Sequence, residues 1–266
     1  MASTLRNDSW WVGPIAVLLG LTVAVIYITW AAFQGTNYWV GTGEGFGGYL
    51  SPLYSPLFYI KEGIRGGAPL SHALFEGWPG WWPEFMPASP AFFILIFPGL
   101  FRFTCYYYRK AYYRAFTWTP PTCAVGALQR GGKGYAGETG LMIFQNLHRY
   151  AMYIAVIFIF ILSYDAIMAF FQNDKFGVGV GSIVLILNVV FLGGYTFGCH
   201  SFRHIIGGRK DCFNCAQRSH ITWSWSSILN GKHQLFAWCS LFWVCFTDFY
   251  VRMVASGAII DLNTWG

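Results

Sequence analysis

Seven cysteines and six histidines punctuate this 266-residue chain, and most of them gather where they could share one task. Thiolates and imidazoles are the protein's soft and borderline metal ligands, suited to zinc, haem iron and iron–sulfur clusters. Cys105, Cys123, Cys199, Cys212 and Cys215, with His148, His200, His204, His220 and His233, fall toward one end of the spans assigned below, and only His72 lies at the other. His200 and His204 stand four residues apart, so a helix presents both on one face. The Cys-x2-Cys pair at 212 and 215 is half of a closed zinc site and no more. Histidines paired across helices suit a b-type haem, whereas two thiolates with two imidazoles suit a Rieske-type [2Fe–2S] centre. Spacing leaves both open, beside the plainer reading of cysteines as small buried hydrophobes.

A second set of polar residues lies deeper in the same segments. Asp165 follows His148 by 17 residues and Asp248 follows His233 by 15, which places each carboxylate ~22–26 Å further along its helix. Both then reach one level near the opposite end, with Asn188 between them and Arg252 just beyond. The structural reading is an Asp–Arg pair at the interface. The functional one is a proton relay built on buried carboxylates.

The elements that must position these groups are membrane helices. Of the residues, 55% are hydrophobic, 20% aromatic and 11% charged, against ~25% charged in soluble domains. Five apolar segments approach the ~20 residues that cross a bilayer core: about 12–33, 89–116, 141–171, 178–203 and 233–253. The expected fold is an all-α integral membrane bundle of five transmembrane helices, a single transmembrane domain over residues 1–266. The first segment is longer than the apolar core of a cleaved signal peptide and reads as a retained span. The second contains Pro98 and ends in the aromatic, basic run 104–116, so it should cross and then project.

Basic residues orient the bundle through their preference for the cytoplasmic side. Arg102, Arg109, Lys110, Arg114, Arg130 and Lys133 follow the second span, and Arg203, Arg209, Lys210, Arg218 and Lys232 follow the fourth. The N-terminus is expected inside, the C-terminus outside, and the Cys/His end on the cytoplasmic side. The net charge of +6 is accounted for by topology and does not argue for nucleic acid. The long external loop 34–88, rich in Gly, Pro, Trp and Tyr, suits an aromatic belt at the headgroups or a lid over a hydrophobic ligand.

Five blocks carry a resemblance: the run from Thr104-Cys105 to Arg114, Pro120-Pro-Thr-Cys123, Gln145-Asn-Leu-His148-Arg-Tyr, Cys199-His200-Ser-Phe-Arg-His204 and Leu229-Asn-Gly-Lys-His233. In this order they resemble the membrane subunit of bacterial succinate dehydrogenase, respiratory complex II, of the actinobacterial type whose membrane subunit holds a Rieske-type cluster in place of haem. The likeness runs from about Ser89 to the C-terminus. It implies a flavoprotein subunit that oxidises succinate, an iron–sulfur subunit that relays electrons, and this chain, set in membrane lipid, passing them to menaquinone or ubiquinone. Two cysteines of Cys105, Cys123 and Cys199, and two histidines of His148, His200, His204 and His233, would ligate the cluster. The Cys212/Cys215 pair departs from the family pattern, which lowers it to a structural role. Asp165 and Asp248 would serve a distal quinone, while Arg102, Tyr106 and Trp225, with His204, could frame a proximal one. A b-haem subunit of a quinone oxidoreductase, and a small-molecule transporter, are the alternative readings.

Overall fold

The computed structural model describes residues 9, 11–41, 47–75, 77–116, 140–172, 175–208, 212 and 214–265. Helix α1 (Val12–Gln34) leads into a long loop that holds the short antiparallel pair β1 (Trp39–Val40) and β2 (Tyr49–Leu50), registered Trp39 to Leu50. Helices α2 (Ala91–Ile94), α3 (Ile96–Thr104), α4 (Tyr106–Phe116), α5 (Leu141–Met168), α6 (Val180–Phe197), α7 (His200–Gly207), α8 (Gln217–Gly231) and α9 (His233–Ala255) follow, with a second two-stranded turn, β3 (Phe171–Gln172) and β4 (Lys175–Phe176), after α5. Four helices, α1, α5, α6 and α9, are long and apolar enough to cross a membrane, and a fifth span exists if the bent pair formed by Ala91–Thr104 and Tyr106–Phe116 is counted as one.

Two expectations about helix continuity need revision. The second segment does not cross and project as one rod: it bends by 74° at Cys105, whose backbone is extended at φ −65°, ψ 122°. The fourth ends at Phe197, and after Gly198 an extended Cys199 (φ −66°, ψ 140°) caps the start of α7. Upstream, Pro98 has no N–H to offer the Ile94 carbonyl, and the helix is interrupted between α2 and α3 at that turn.

The bundle is a row in which α6 packs on α9 and α5, and α5 on α3, while α1 lies against α4 and α9. Close approach depends on small residues, the usual device where lipid removes the hydrophobic drive between helices. A Cβ on Gly194 would lie 2.4 Å from the Phe236 ring, so only glycine lets α9 sit this near α6.

The long loop after α1 folds as a cap with its own core. Tyr38, Leu50, Leu53, Tyr54, Leu57 and Ile60 are buried against Ala31, Ala32, Ala91 and Val244. Belt-like residues remain at its rim, where Trp81 and Phe85 are exposed. One polar knot ties this cap to two spans. Fully buried Asp248 accepts from Arg252 Nε at 2.6 Å and from Tyr27 at 2.7 Å, and Ser51 of the loop also donates to it. Arg252 in turn donates to the carbonyls of Ala31 (3.1 Å) and Thr36 (2.9 Å). Ala31 is in the last turn of α1, whose carbonyls lack intrahelical donors and whose dipole favours a cation. Asp261 does the converse at the start of α6, accepting from the Gly181 amide at 3.0 Å.

Replacing Asp248 by Ala leaves the Arg252 guanidinium buried without its counter-charge. A loss of about 3–5 kcal/mol is expected, read as a lower melting temperature of the purified protein in detergent; an unshifted melt would show that the knot does not hold the cap.

Candidate functional site

The two backbone breaks decide where the thiols point. An extended residue between helices turns its side chain out of both rods, and Cys105 and Cys199 each stand immediately before a helix, α4 and α7. Both are buried. Each meets an imidazole from another helix. His148 Nε2 of α5 lies 3.0 Å from Cys199 Sγ, and His233 Nε2 of α9 lies 3.8 Å from Cys105 Sγ. The four line one cavity of about 520 Å³, with Thr104, Arg109, Gln145 and Asn230 on its walls.

Neighbours fix the rings. The Thr104 hydroxyl donates to the Leu100 carbonyl at 2.7 Å, so its oxygen accepts from His148 Nδ1, 3.0 Å away. That assigns the His148 proton to Nδ1 and leaves the Nε2 lone pair facing Cys199. Phe101 stacks on His148 at 4.8 Å and Tyr195 on His233 at 4.9 Å. Arg109 closes the wall by donating to the Thr104 carbonyl at 2.7 Å.

The remaining sequence-predicted ligands divide. His200 and His204 face each other at 3.0 Å between their Nε2 atoms, exposed at the mouth of the cavity. Cys212 and Cys215 are joined in a disulfide and do not line it. Cys123 lies outside the described residues. Tyr106 reaches the cavity edge, but Arg102 bonds Tyr108 of α4 and, on α9, the Ala237 carbonyl (3.2 Å) and Ser240 (2.9 Å). Trp225 is exposed on α8, so these three do not share a pocket.

At the other end the two carboxylates occupy different environments. Asp248 is held in the ion pair described above. Asp165 receives a hydrogen bond from Ser55 and lines a separate cavity of about 300 Å³ with Trp39, Leu57, His72 and Tyr164. His72 stacks against Trp39 at 4.8 Å. Sequence reasoning set His72 aside because it lies far from the other histidines, and it passed over Thr104 although that residue directly precedes Cys105. The aromatic and glycine-rich loop around Trp39 was the one available signal for this second cavity.

Among the described residues, no group of three or more His, Cys, Asp or Glu side chains is arranged for a single metal ion. Two thiol–imidazole pairs therefore face one cavity from four chain segments.

Comparisons with known proteins agree with this architecture. Residues 12–257 match the family described as actinobacterial succinate dehydrogenase subunit SdhC. Among solved structures, a chain of the Mycobacterium smegmatis Sdh1 complex in the apo form is similar, with 43% identity and a TM-score of 0.82 over 99% of this chain and 94% of that one. A comparison with curated proteins finds no match.

Burial holds the His72 ring below the ordinary histidine range. The unfolded chain therefore takes up the proton first, and the loop is expected to lose stability as pH falls through about 6.5. Histidine NMR should find His72 titrating below the free value, and a normal or raised midpoint would contradict this.

Proposed function

From the premise that the chain belongs to the actinobacterial succinate dehydrogenase subunit SdhC family, and so is the membrane subunit of that complex, we propose that it relays electrons from a partner iron–sulfur subunit through a Rieske-type [2Fe–2S] cluster to a membrane quinone. The observation that carries this reading is the pair of buried cysteine–histidine contacts around one cavity. Cys105 and Cys199 would supply the two thiolates, and His148 and His233 the two imidazoles. When bound, the group supplies one-electron transfer at a potential set by its surroundings. Thr104 holds the His148 tautomer, and Phe101 and Tyr195 hold the ring planes, which is the role of outer contacts in metal sites. His200 and His204 stand at the mouth, beyond the buried pairs.

The basic residues after the second and fourth spans belong to the same end as this cavity, which supports a cytoplasmic orientation there and docking of the flavoprotein and iron–sulfur subunits onto it. Succinate oxidation then belongs to the partners. The chain would sit in the bacterial inner membrane with its N-terminus inside and C-terminus outside.

The quinone, menaquinone or ubiquinone, fits the cavity under the external cap. Its reduction takes two electrons and two protons. Asp165 (bonded to Ser55), His72 and Tyr164 are the titratable groups lining that cavity, and aromatic walls from Trp39 and Tyr164 suit a flat ring. Asp248 is committed to Arg252 and serves the fold, so the proton chemistry falls to Asp165. The alternative proximal arrangement of Arg102, Tyr106 and Trp225 lacks a common cavity.

Changing His148 and His233 together to Ala should abolish quinone reduction by the complex while succinate-to-dye activity persists. Loss of both activities would remove the relay role. Low-temperature EPR of the reduced complex should show a Rieske-like signal, and full activity with an iron-free membrane subunit would exclude the cluster. Asp165→Asn should slow quinone turnover about 10²–10⁴-fold, the usual worth of general acid–base assistance, at unchanged iron content. An unaltered rate would move the quinone elsewhere.

A further inference from the structure

Tyr195, like Tyr38 and Asn188, holds a buried polar side-chain atom with no hydrogen-bond partner among the described residues. It is 1% exposed, packs in the same buried cluster as Cys105, and stacks on His233, whose Nε2 is 3.8 Å from the Cys105 sulfur. A buried orphan donor costs on the order of 1–3 kcal/mol, and native structures keep few of them without a reason. Phenylalanine would fill the same space and stack equally well on His233, so packing does not account for the oxygen.

The surroundings add a charge. The Arg102 guanidinium sits 4.9 Å from the Tyr195 ring centroid, on the ring face that attracts cations. Among the described residues Arg102 makes no ion pair; its partners are Tyr108, the Ala237 carbonyl and Ser240. A cation at membrane depth without an acidic partner is costly and marks function. His233 stacks on the Tyr195 ring at 4.9 Å and begins the same helix that carries Ala237 and Ser240.

We propose that Tyr195 is a positioning residue that sets the reduction potential of the group held at Cys105: its hydroxyl donates a hydrogen bond to the Cys105 thiolate, with the Arg102 charge behind its ring. This rests on the cluster reading above. Two ferric ions, two sulfides, two thiolates and two neutral imidazoles are together uncharged. The single electron delivered by the partner iron–sulfur subunit reduces one iron to ferrous and leaves a net charge of −1, with no bond made or broken. A hydroxyl donor on the sulfur and a nearby cation both stabilise that added charge, so both raise the potential.

Tyr195→Phe removes one oxygen that has no hydrogen-bond partner among the described residues. Redox titration of the assembled complex, followed by the EPR signal of the reduced cluster, should find the signal retained and reduction at least about tenfold less favourable, a midpoint about 59 mV lower for one electron. A retained signal with an unchanged or higher midpoint would overturn the role of Tyr195 while leaving the cluster standing. Loss of the signal in the variant would also overturn it, since the hydroxyl would then hold the group rather than tune it. Absence of any such signal from the wild-type complex would overturn the cluster reading itself.

Discussion

The active end of this protein depends on two interruptions in backbone hydrogen bonding. A helix crossing lipid satisfies its own amides and carbonyls, and a break is tolerated only where protein or a cavity takes up the freed groups. Here the breaks fall at Cys105 and Cys199, and each is closed quickly: Arg109 and Arg203 donate their amides back to the two cysteine carbonyls at 3.0 and 3.1 Å, starting α4 and α7. The extended residue in each break carries a thiol into the gap between α3, α5, α6 and α9. Had either helix run on, its cysteine would lie on a helical face fixed by the rods' packing. It would not stand at the head of a new helix.

The far end is organised by charge rather than by broken backbone. Asp248 and Arg252 are one turn apart on α9, and five further partners from α1, the loop and α9's neighbourhood converge on them through Tyr27, Ala31, Thr36, Ser51 and Tyr54. Breaking such a pair strands a buried ion, so the cap is tied down strongly although the loop's described residues hold only two short strands and one 3-10 turn, Leu70–His72. Rigidity there matters for Asp165, whose hydrogen-bonding partner Ser55 comes from the same capped loop. The knot and the carboxylate in the cavity thus have separate duties, although the sequence offers them as a matched pair of aspartates.

Much of this was legible because hydropathy is a strong signal. The apolar segments, the clustering of Cys and His, and the i, i+4 relation of Asp248 to Arg252 are all readable from spacing. The breaks were not. Thr104-Cys105 contains no strong breaker, and Gly198 alone is common inside membrane helices, so tertiary packing decided where the rods stopped. The cap was only half legible, since Gly, Pro, Trp and Tyr suit a headgroup belt and a folded loop equally well. Tyr195 gave no sign at all, because an orphan hydroxyl exists only in three dimensions.

On the proposed reading, these two ends solve one problem. Reducing a quinone inside a membrane requires electrons and protons to arrive at a ring that water does not freely reach. An electron relay can be buried, because its charge changes by one and a hydroxyl and a guanidinium can balance that change locally. A proton donor must instead stay near the aqueous side, which is where Asp165 and His72 lie beneath the cap. Between them runs an apolar groove lined by Phe101, Phe158, Ile159 and Leu162, bordered by Tyr195 and Arg102 at one end. Its few polar atoms keep water out of the middle of the bundle. Electrons can then pass where protons cannot, and the separation of the two polar clusters becomes the functional feature rather than an accident of span length.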